Sequence, residues 1–328
     1  MKRLFIAAGV LLATQATAET PVLTVYTYDS FVADWGPGPA VEAAFEEVCD
    51  CDLQFVAAGD GASLLSRLRL EGARSKADVV LGLDTNLTAA ARETGLFAPH
   101  GIEAELDVPR PEAWRDELFL PYDWGYFAFV HDREKLPQPP ETLEELANSD
   151  VSIVIQDPRS STPGLGLLLW VKAVHGDGAE AIWEGLSDNI VTVTPGWSEA
   201  YGLFGEGEAD MVLSYTTSPA YHRVAEEDDS KAAAIFPQHY MQIEVAGKLA
   251  ASAQPELADQ FLSFMVSDAF QSIIPTTNWM YPVAMPEDGL PDGFDAPLAE
   301  DKALLFAPDE VPAQREAALA EWQRALSK

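Results

Sequence analysis

An α/β fold in which helices cover the sheets is predicted by three observations. Short apolar runs alternate with amphipathic helical patterns, the alternation comes in two sets, and a long aromatic extended segment lies between them. The first run is Val22 to Tyr26. Beyond Pro39, Val41, Ala44, Phe45 and Val48 recur at the spacing that makes one buried helical stripe. The run Leu53 to Ala57, a helix from Ser63 ending near Gly72, the run Ala77 to Leu83 and a helix closed by Gly95 complete three strand-helix units. FLPYDWGYFAFVHD (119–132) then leads into the loop Pro137-Gln138-Pro139-Pro140 and can join two lobes. The runs Val151 to Ile155, Ile190 to Thr194 and Met211 to Tyr215 each feed a helix, which repeats the architecture. Tyr240 to Ala246 is expected to return the chain to the first lobe, and a helix over 313–326 closes it. The expected organisation is a leader at 1–18, a first lobe at 19–118, a second at 119–243 entered through 119–131, and a segment at 244–328 that completes the lobes.

Lys2 and Arg3 precede an apolar run from Leu4 to Ala13 and the small-residue pattern Ala16-Thr17-Ala18, which is the form of an export signal cleaved after Ala18. The apolar run falls short of the ~20 residues that span a bilayer, and no later stretch is long and uncharged enough to replace it. About 310 residues remain, enough for two lobes. With 20 basic and 53 acidic residues the formal charge is −33, so nucleic acid is excluded as a partner and a cationic ligand suits the field. The acids are densest at Glu226-Glu227-Asp228-Asp229 and read mainly as a solvating surface. Cys49 and Cys51 flank Asp50. In an oxidising compartment they form a local disulfide or stay free, and the pair is too small a set for tetrahedral zinc.

Ligands of open α/β sheets bind where the loops after the strands converge. Five such loops are rich in aromatic and hydroxyl residues: TYDSFVADWGPG (27–38), AGDGAS (58–63), RSSTPGLG (159–166), TPGWSEAY (194–201) and SYTTSPAY (214–221). TTNWMYPV (276–283) follows a late helix. In SYTTSPAY, Ser218 can cap the next helix with Pro219 in its first position, and Thr216 and Thr217 add donors beside Tyr215 and Tyr221. In RSSTPGLG, Ser160, Ser161 and Thr162 precede a helix starting at Pro163, so free amides there suit a phosphate, or are simply capped. Asp60, between two glycines, balances a bound cation or shapes an Asx turn. Trp35, Trp197 and Trp279 lie in loops beside hydroxyl-rich turns, which suits a ring-stacking cage as well as ordinary packing. The five histidines show no HExxH or paired ligand spacing, there is no GxSxG elbow, and neither cysteine accompanies a base. Neither catalytic residues nor metal ligands nor a cofactor are expected.

Seven segments, VLTVYTYDSFVADWGPGP, SLLSRLRLEGARSKADVVLGLD, LPYDWGYFAFV, IQDPRSSTPGLGLLLW, VTVTPGWSEAYGLF, DMVLSYTTSPAYH and TTNWMYPVA, in order along nearly the whole chain after the leader, resemble the thiamine-binding periplasmic proteins of bacterial ABC importers. The resemblance implies a type II periplasmic-binding-protein fold, two α/β lobes joined by hinge strands. It implies capture of thiamine, thiamine monophosphate or thiamine diphosphate for a membrane permease and its cytoplasmic ATPase. By the same resemblance Trp197, Tyr215, Tyr221 and Trp279 form aromatic walls, with Tyr28 and Trp35 as further members. Asp60 and Gly61 form the first-lobe turn at the ligand, and Ser161, Thr162, Thr216, Thr217 and Ser218 supply polar contacts. The chemistry agrees, because a permanently cationic thiazolium and a flat pyrimidine ask for π-faces and nearby negative charge. The phosphate or hydroxyethyl end is expected near Ser161 and Thr162. The competing readings are a thiaminase-like enzyme with a cysteine nucleophile, and a binding protein for another cation such as a polyamine or ferric iron.

Overall fold

The structure, a computed structural model, describes residues 20–104, 106–109 and 114–327; the expected export signal at 1–18 lies outside them. The first half of the chain folds as β1 (Val22–Thr27), α1 (Gly38–Cys49), β2 (Asp52–Ala57), α2 (Gly61–Glu71), β3 (Val79–Asp84), α3 (Thr85–Arg92), β4 (Phe97–Ala98) and the long β5 (Leu120–Asp132). A second series follows: α4 (Leu143–Ala147), β6 (Ile153–Gln156), α5 (Thr162–His175), α6 (Ala179–Leu186), β7 (Ile190–Thr194), α7 (Trp197–Glu206), β8 (Met211–Tyr215) and α8 (Ser218–Ala225). The chain closes through β9 (Lys231–Ala233), β10 (His239–Leu249), α9 (Pro255–Met265), α10 (Asp268–Gln271), α11 (Ile274–Thr277), β11 (Tyr281–Pro282), β12 (Ala303–Leu304) and α12 (Val311–Leu326).

The strands form one path in the order β2-β1-β3-β10-β5-β8-β6-β7. Its outer parts are parallel, β1 with β2 and β3, β6 with β7 and β8, as strand-helix-strand units require. Between them β10 runs antiparallel to both β3 and β5. β5 changes partner at its middle: Leu120 to Tyr126 pair with β10, and Phe127 to His131 pair with β8. Two continuous strands, β5 and β10, therefore carry the chain between the two halves of the sheet. Every residue of β5 up to His131 is buried: α5 covers Phe127 and Phe129, α10 meets Tyr122, and β11 with the 290–305 segment covers Trp124 and Tyr126, which explains its unbroken aromatic sequence.

Two large clusters pack against the sheet, the second of them drawing residues from both halves of the chain. Val25, Leu81, Phe45 and Phe261 centre one core, where Phe45 and Phe261 meet edge to face at 5.1 Å. In the other, Trp170 of α5 stacks on Phe129 of β5 beside Leu168 and Trp183. The C-terminal α12 packs on α5 and α6 and reaches α3, and the Lys172 ammonium, nearly buried, pairs with Glu321 at 2.7 Å. Cys49 and Cys51 are joined in a disulfide at the end of α1, which resolves the two redox states left open by the sequence.

Some local expectations are corrected. α2 starts at Gly61, two residues before Ser63, because Asp60 takes the extended cap position. Ser218 is the first residue of α8 and Thr217 its cap, with no side-chain cap bond; the Ser218 hydroxyl instead accepts from the Tyr215 amide at 3.2 Å and bonds Ser214 at 2.7 Å. Trp197 does not lie in a loop but opens α7.

At Gly166, a β-carbon would overlap the Phe127 ring, so the glycine lets α5 lie against β5 where that strand changes partner. Gly166→Ala should cost about 1–3 kcal/mol by overpacking. The cost should be read as a lower denaturant midpoint by circular dichroism and be mostly recovered in Gly166→Ala/Phe127→Leu. An unchanged midpoint in the single variant would mean that this contact does not hold α5 in place.

Candidate functional site

Where the carboxyl ends of β1, β2, β6, β7 and β8 converge, their loops and the 276–280 segment enclose a cavity of about 470 Å³. Its floor comes from alternate residues of β10, Gln242 and Glu244, which the strand period puts on one face. The sheet register sets Glu244 opposite Asp84 of β3 on one side and opposite Asp123 of β5 on the other. Three carboxylates thus stand abreast on three neighbouring strands, Asp84 and Asp123 fully buried and Glu244 5% exposed.

Neutral donors hold this row. Asn86 Nδ2 donates to Asp84 at 2.6 Å, Asn278 Nδ2 donates to Asp123 at 2.6 Å, and the Tyr28 hydroxyl lies 3.2 Å from Glu244 and 3.1 Å from Asn278 Oδ1. One oxygen of Asp84 has no partner, whereas Asp123 and Glu244 lie close enough to share a proton. Burial of like charges favours the protonated forms. Asp84 is pushed up to about 7, first by burial and then, against the Asn86 hydrogen bond, by Glu244. Burial also raises Glu244, and raises Asp123 further because the Glu244 charge adds to it. Tyr28 reaches the row because Gly82, at φ +104°, leaves room where a β-carbon would overlap the Tyr28 ring.

Above the floor the rings form a continuous arc. Trp35 lies 6.0 Å from Trp197, Trp197 stacks on Tyr201 at 4.9 Å, Tyr201 stacks on His222 at 6.0 Å, and His222 meets Tyr221 at 4.9 Å. Tyr221 meets Trp279 at 5.4 Å, and Trp279 stacks on Phe294 at 6.4 Å. Trp35 is 53% exposed at one end. Trp279 adopts φ +55°, a conformation costly for a bulky residue, just after the short α11 ends at Thr277. Trp197 is anchored by donating Nε1–H to Ser214 at 2.8 Å, and Tyr215 by donating its hydroxyl to Gln242 at 2.7 Å.

Asp60 closes the cavity from the first half of the chain. Its Oδ2 accepts from the Ser161 hydroxyl at 2.7 Å and from the Trp197 amide at 3.2 Å, so one carboxylate serves the starts of α5 and α7. Beside it the Gly61 amide donates to Thr162 Oγ1 at 3.2 Å and the Ser63 amide to the Ser160 carbonyl at 3.1 Å. Burial raises the Asp60 carboxyl to about 6, opposed by the Ser161 and Trp197 hydrogen bonds and helped by Asp29. Asp60 therefore does not merely shape its own turn. The Ser161 hydroxyl, expected to face a ligand, is spent on this carboxylate.

Of the residues expected at the site, Tyr28, Trp35, Asp60, Thr162, Trp197, Tyr215, Ser218, Tyr221 and Trp279 line the cavity. Gly61, Ser161, Thr216 and Thr217 do not: Gly61 and Ser161 form the clasp behind it, Thr216 Oγ1 is buried without a partner, and Thr217 faces Met280. The sequence reading missed Tyr201, Gln242, Glu244 and Asn278. For Gln242 and Glu244 a signal existed, two polar residues spaced by two within an otherwise apolar run.

Comparison with known proteins gives three concordant findings. The pattern of the bacterial extracellular solute-binding protein family matches residues 33–272. The chain is 59% identical to the thiamine-binding periplasmic protein of Escherichia coli K12 over 97% of each chain, and 52% identical to that of Brucella abortus over 99% of this chain and 97% of the other. A solved periplasmic thiamin binding protein superposes with a TM-score of 0.90 at 57% identity, covering 97% of this chain and 100% of the other.

The carboxylate row makes a test possible without any ligand. Acids whose pKa is raised by folding contribute their full stability below the ordinary carboxylate range near 4 and lose it as pH climbs toward about 7. The melting temperature of the empty protein should therefore rise on going from pH 8 to pH 6. Glu244→Gln should raise it at pH 8, by about 1–3 kcal/mol of stability, and flatten the dependence. A variant that melts like the wild type at both pH values would show that Glu244 carries no such penalty.

Proposed function

The chain belongs to the bacterial extracellular solute-binding protein family and, within it, to the thiamine-binding periplasmic proteins, and from that premise we propose that its cavity captures thiamine for import. The observation that carries this reading is the buried row Asp84, Glu244 and Asp123 lying under an arc of aromatic rings. Such a row is unfavourable when empty and becomes favourable when a cation enters, because an opposite charge brings the carboxylates back toward their ionised form. Thiamine is a cation built of two flat rings. Its thiazolium suits the ring faces of Trp197, Tyr221 and Trp279, and its aminopyrimidine suits the donors and acceptors of Glu244, Gln242 and Asn278. A volume of about 470 Å³ fits a ligand of this size.

The hydroxyethyl end would then lie toward Thr162 and Asp60. Thiamine monophosphate and thiamine diphosphate, which belong to the same ligand class, would bring an anion against the Asp60 carboxylate, and binding them requires Asp60 to turn away or stay protonated. No cofactor of the protein's own enters this scheme. It is binding without turnover: a thiaminase-like reaction needs a thiolate in the cleft, whereas Cys49 and Cys51 are paired in a disulfide at the end of α1 and neither lines the cavity. Among the described residues no helix is long and apolar enough to cross a membrane. Export by the leader, cleavage after Ala18, residence in the periplasm and delivery to a membrane permease with its cytoplasmic ATPase complete the reading, as does the division into lobes at 19–118 and 119–243.

Calorimetric titration with thiamine tests it. Trp197→Ala and Trp279→Ala, folded by circular dichroism, should each lose about 1–3 kcal/mol, one to two decades in Kd. Wild-type affinity in both variants, or tighter binding of spermidine or ferric iron than of thiamine, would overturn the assignment. With the same titration, Asp60→Asn should tighten thiamine monophosphate relative to thiamine by about tenfold through loss of one repelling charge. An unchanged ratio would place the phosphate away from Asp60.

A further inference from the structure

We infer that His222, Glu226 and Asp228 form a binding site for a divalent transition-metal ion of the zinc type on the outer side of the aromatic arc. One nitrogen of His222 and one oxygen from each acid all lie within 4.8 Å of one another. The local fold explains why. His222 and Glu226, one helical turn apart, share a face of α8 and its end. Glu227 then takes φ +54°, and the Glu226 and Asp228 amides both return to the His222 carbonyl, at 3.1 and 2.9 Å. A non-glycine residue in the left-handed region thus folds Asp228 back over the histidine.

Each ligand side chain is also held from behind, as metal ligands are. His222 Nε2 is 2.9 Å from the Tyr201 hydroxyl, which turns Nδ1 toward Glu226 Oε2 at 2.7 Å. Glu226 Oε1 accepts from the Tyr221 hydroxyl at 2.9 Å, and Asp228 accepts from the amide and hydroxyl of Ser230, both at 2.8 Å. The nearest ammonium, Lys231, stands 3.7 Å from Asp228 but is committed to Asp132 at 3.0 Å. One imidazole and two carboxylates, with Glu226 open to solvent for a completing water, are a zinc donor set. The imidazole disfavours calcium and magnesium, which take oxygen, and no thiolate is present to select copper(I). The adjoining Glu227 and Asp229 raise the local cation concentration. Sequence spacing hides the group, since it holds a single histidine and its third member comes from the turn after the helix.

Tyr201 and Tyr221 line the cavity, so the ion would pin two rings of the arc through their hydroxyl contacts to His222 and Glu226. Metal binding itself is independent of the thiamine reading and is measured without thiamine. The chain, stripped with chelator, is titrated calorimetrically with ZnCl2, and separately with Co2+ while its visible absorption is followed. One ion per chain should bind in the micromolar range. His222→Gln and Asp228→Asn should each weaken it at least about tenfold and remove the Co2+ band, whereas Asp150→Asn on a distant surface should leave both unchanged. Asp228 is partly exposed, so its variant keeps the test valid if the histidine variant fails to fold. The absence of a saturable single-site isotherm, or an isotherm unaltered in Asp228→Asn, would overturn the site and assign any heat to diffuse binding on the acidic surface.

Discussion

Three carboxylates side by side in the middle of a sheet are the constraint around which the rest of this molecule is arranged. They arise because β10 returns between β3 and β5, which puts Glu244 level with Asp84 and Asp123. A row of this kind without a cation weakens the fold that contains it. It is tolerated because large apolar cores lie on both sides, with Phe45 and Phe261 on one and Trp170 and Phe129 on the other. Amide and hydroxyl donors from Asn86, Asn278 and Tyr28 take up part of the charge without neutralising it. The deficit that remains is one that an entering cation would relieve.

The aromatic arc and the Asp60 clasp follow from the same geometry. Above the charged floor, α7 and α8, which follow β7 and β8, supply the rings of the walls. Their polar ends are anchored elsewhere, Trp197 to Ser214 and Tyr215 to Gln242, so the faces stay available. Asp60 reaches across from the other half of the chain, and its contacts join three loops that are far apart in sequence.

Much of this was legible in the sequence. Periodicity located most of the main strands within a residue or two, because each apolar run is bounded by a helix signal or a turn; β10 runs three residues past its expected end, to Leu249. The segments carrying Trp197, Tyr221 and Trp279 stood out because hydroxyl-rich turns with tryptophan suit a core poorly, although Trp197 and Tyr221 prove to lie in the first turns of α7 and α8. What stayed hidden depends on register. Glu244 reads as one acid in an apolar run, and nothing local says that Asp84 and Asp123, 160 and 121 residues earlier, will stand level with it. Ser161 shows the opposite failure: a hydroxyl that reads as free for a ligand already donates to a carboxylate from another loop. The resemblance to known relatives pointed to Ser161 without revealing that its hydroxyl faces Asp60.

The Asp60 clasp also makes the shape of the empty protein a matter of acid–base chemistry. With its pKa held at about 6 by burial between two helix starts, Asp60 binds protons more tightly here than it would in water. Any exposure of the carboxylate to solvent would release that extra proton, chiefly between about pH 4 and pH 6. The contact between the two turns therefore loses stability as pH rises through about 6, so this seam between distant loops is held most firmly in mild acid.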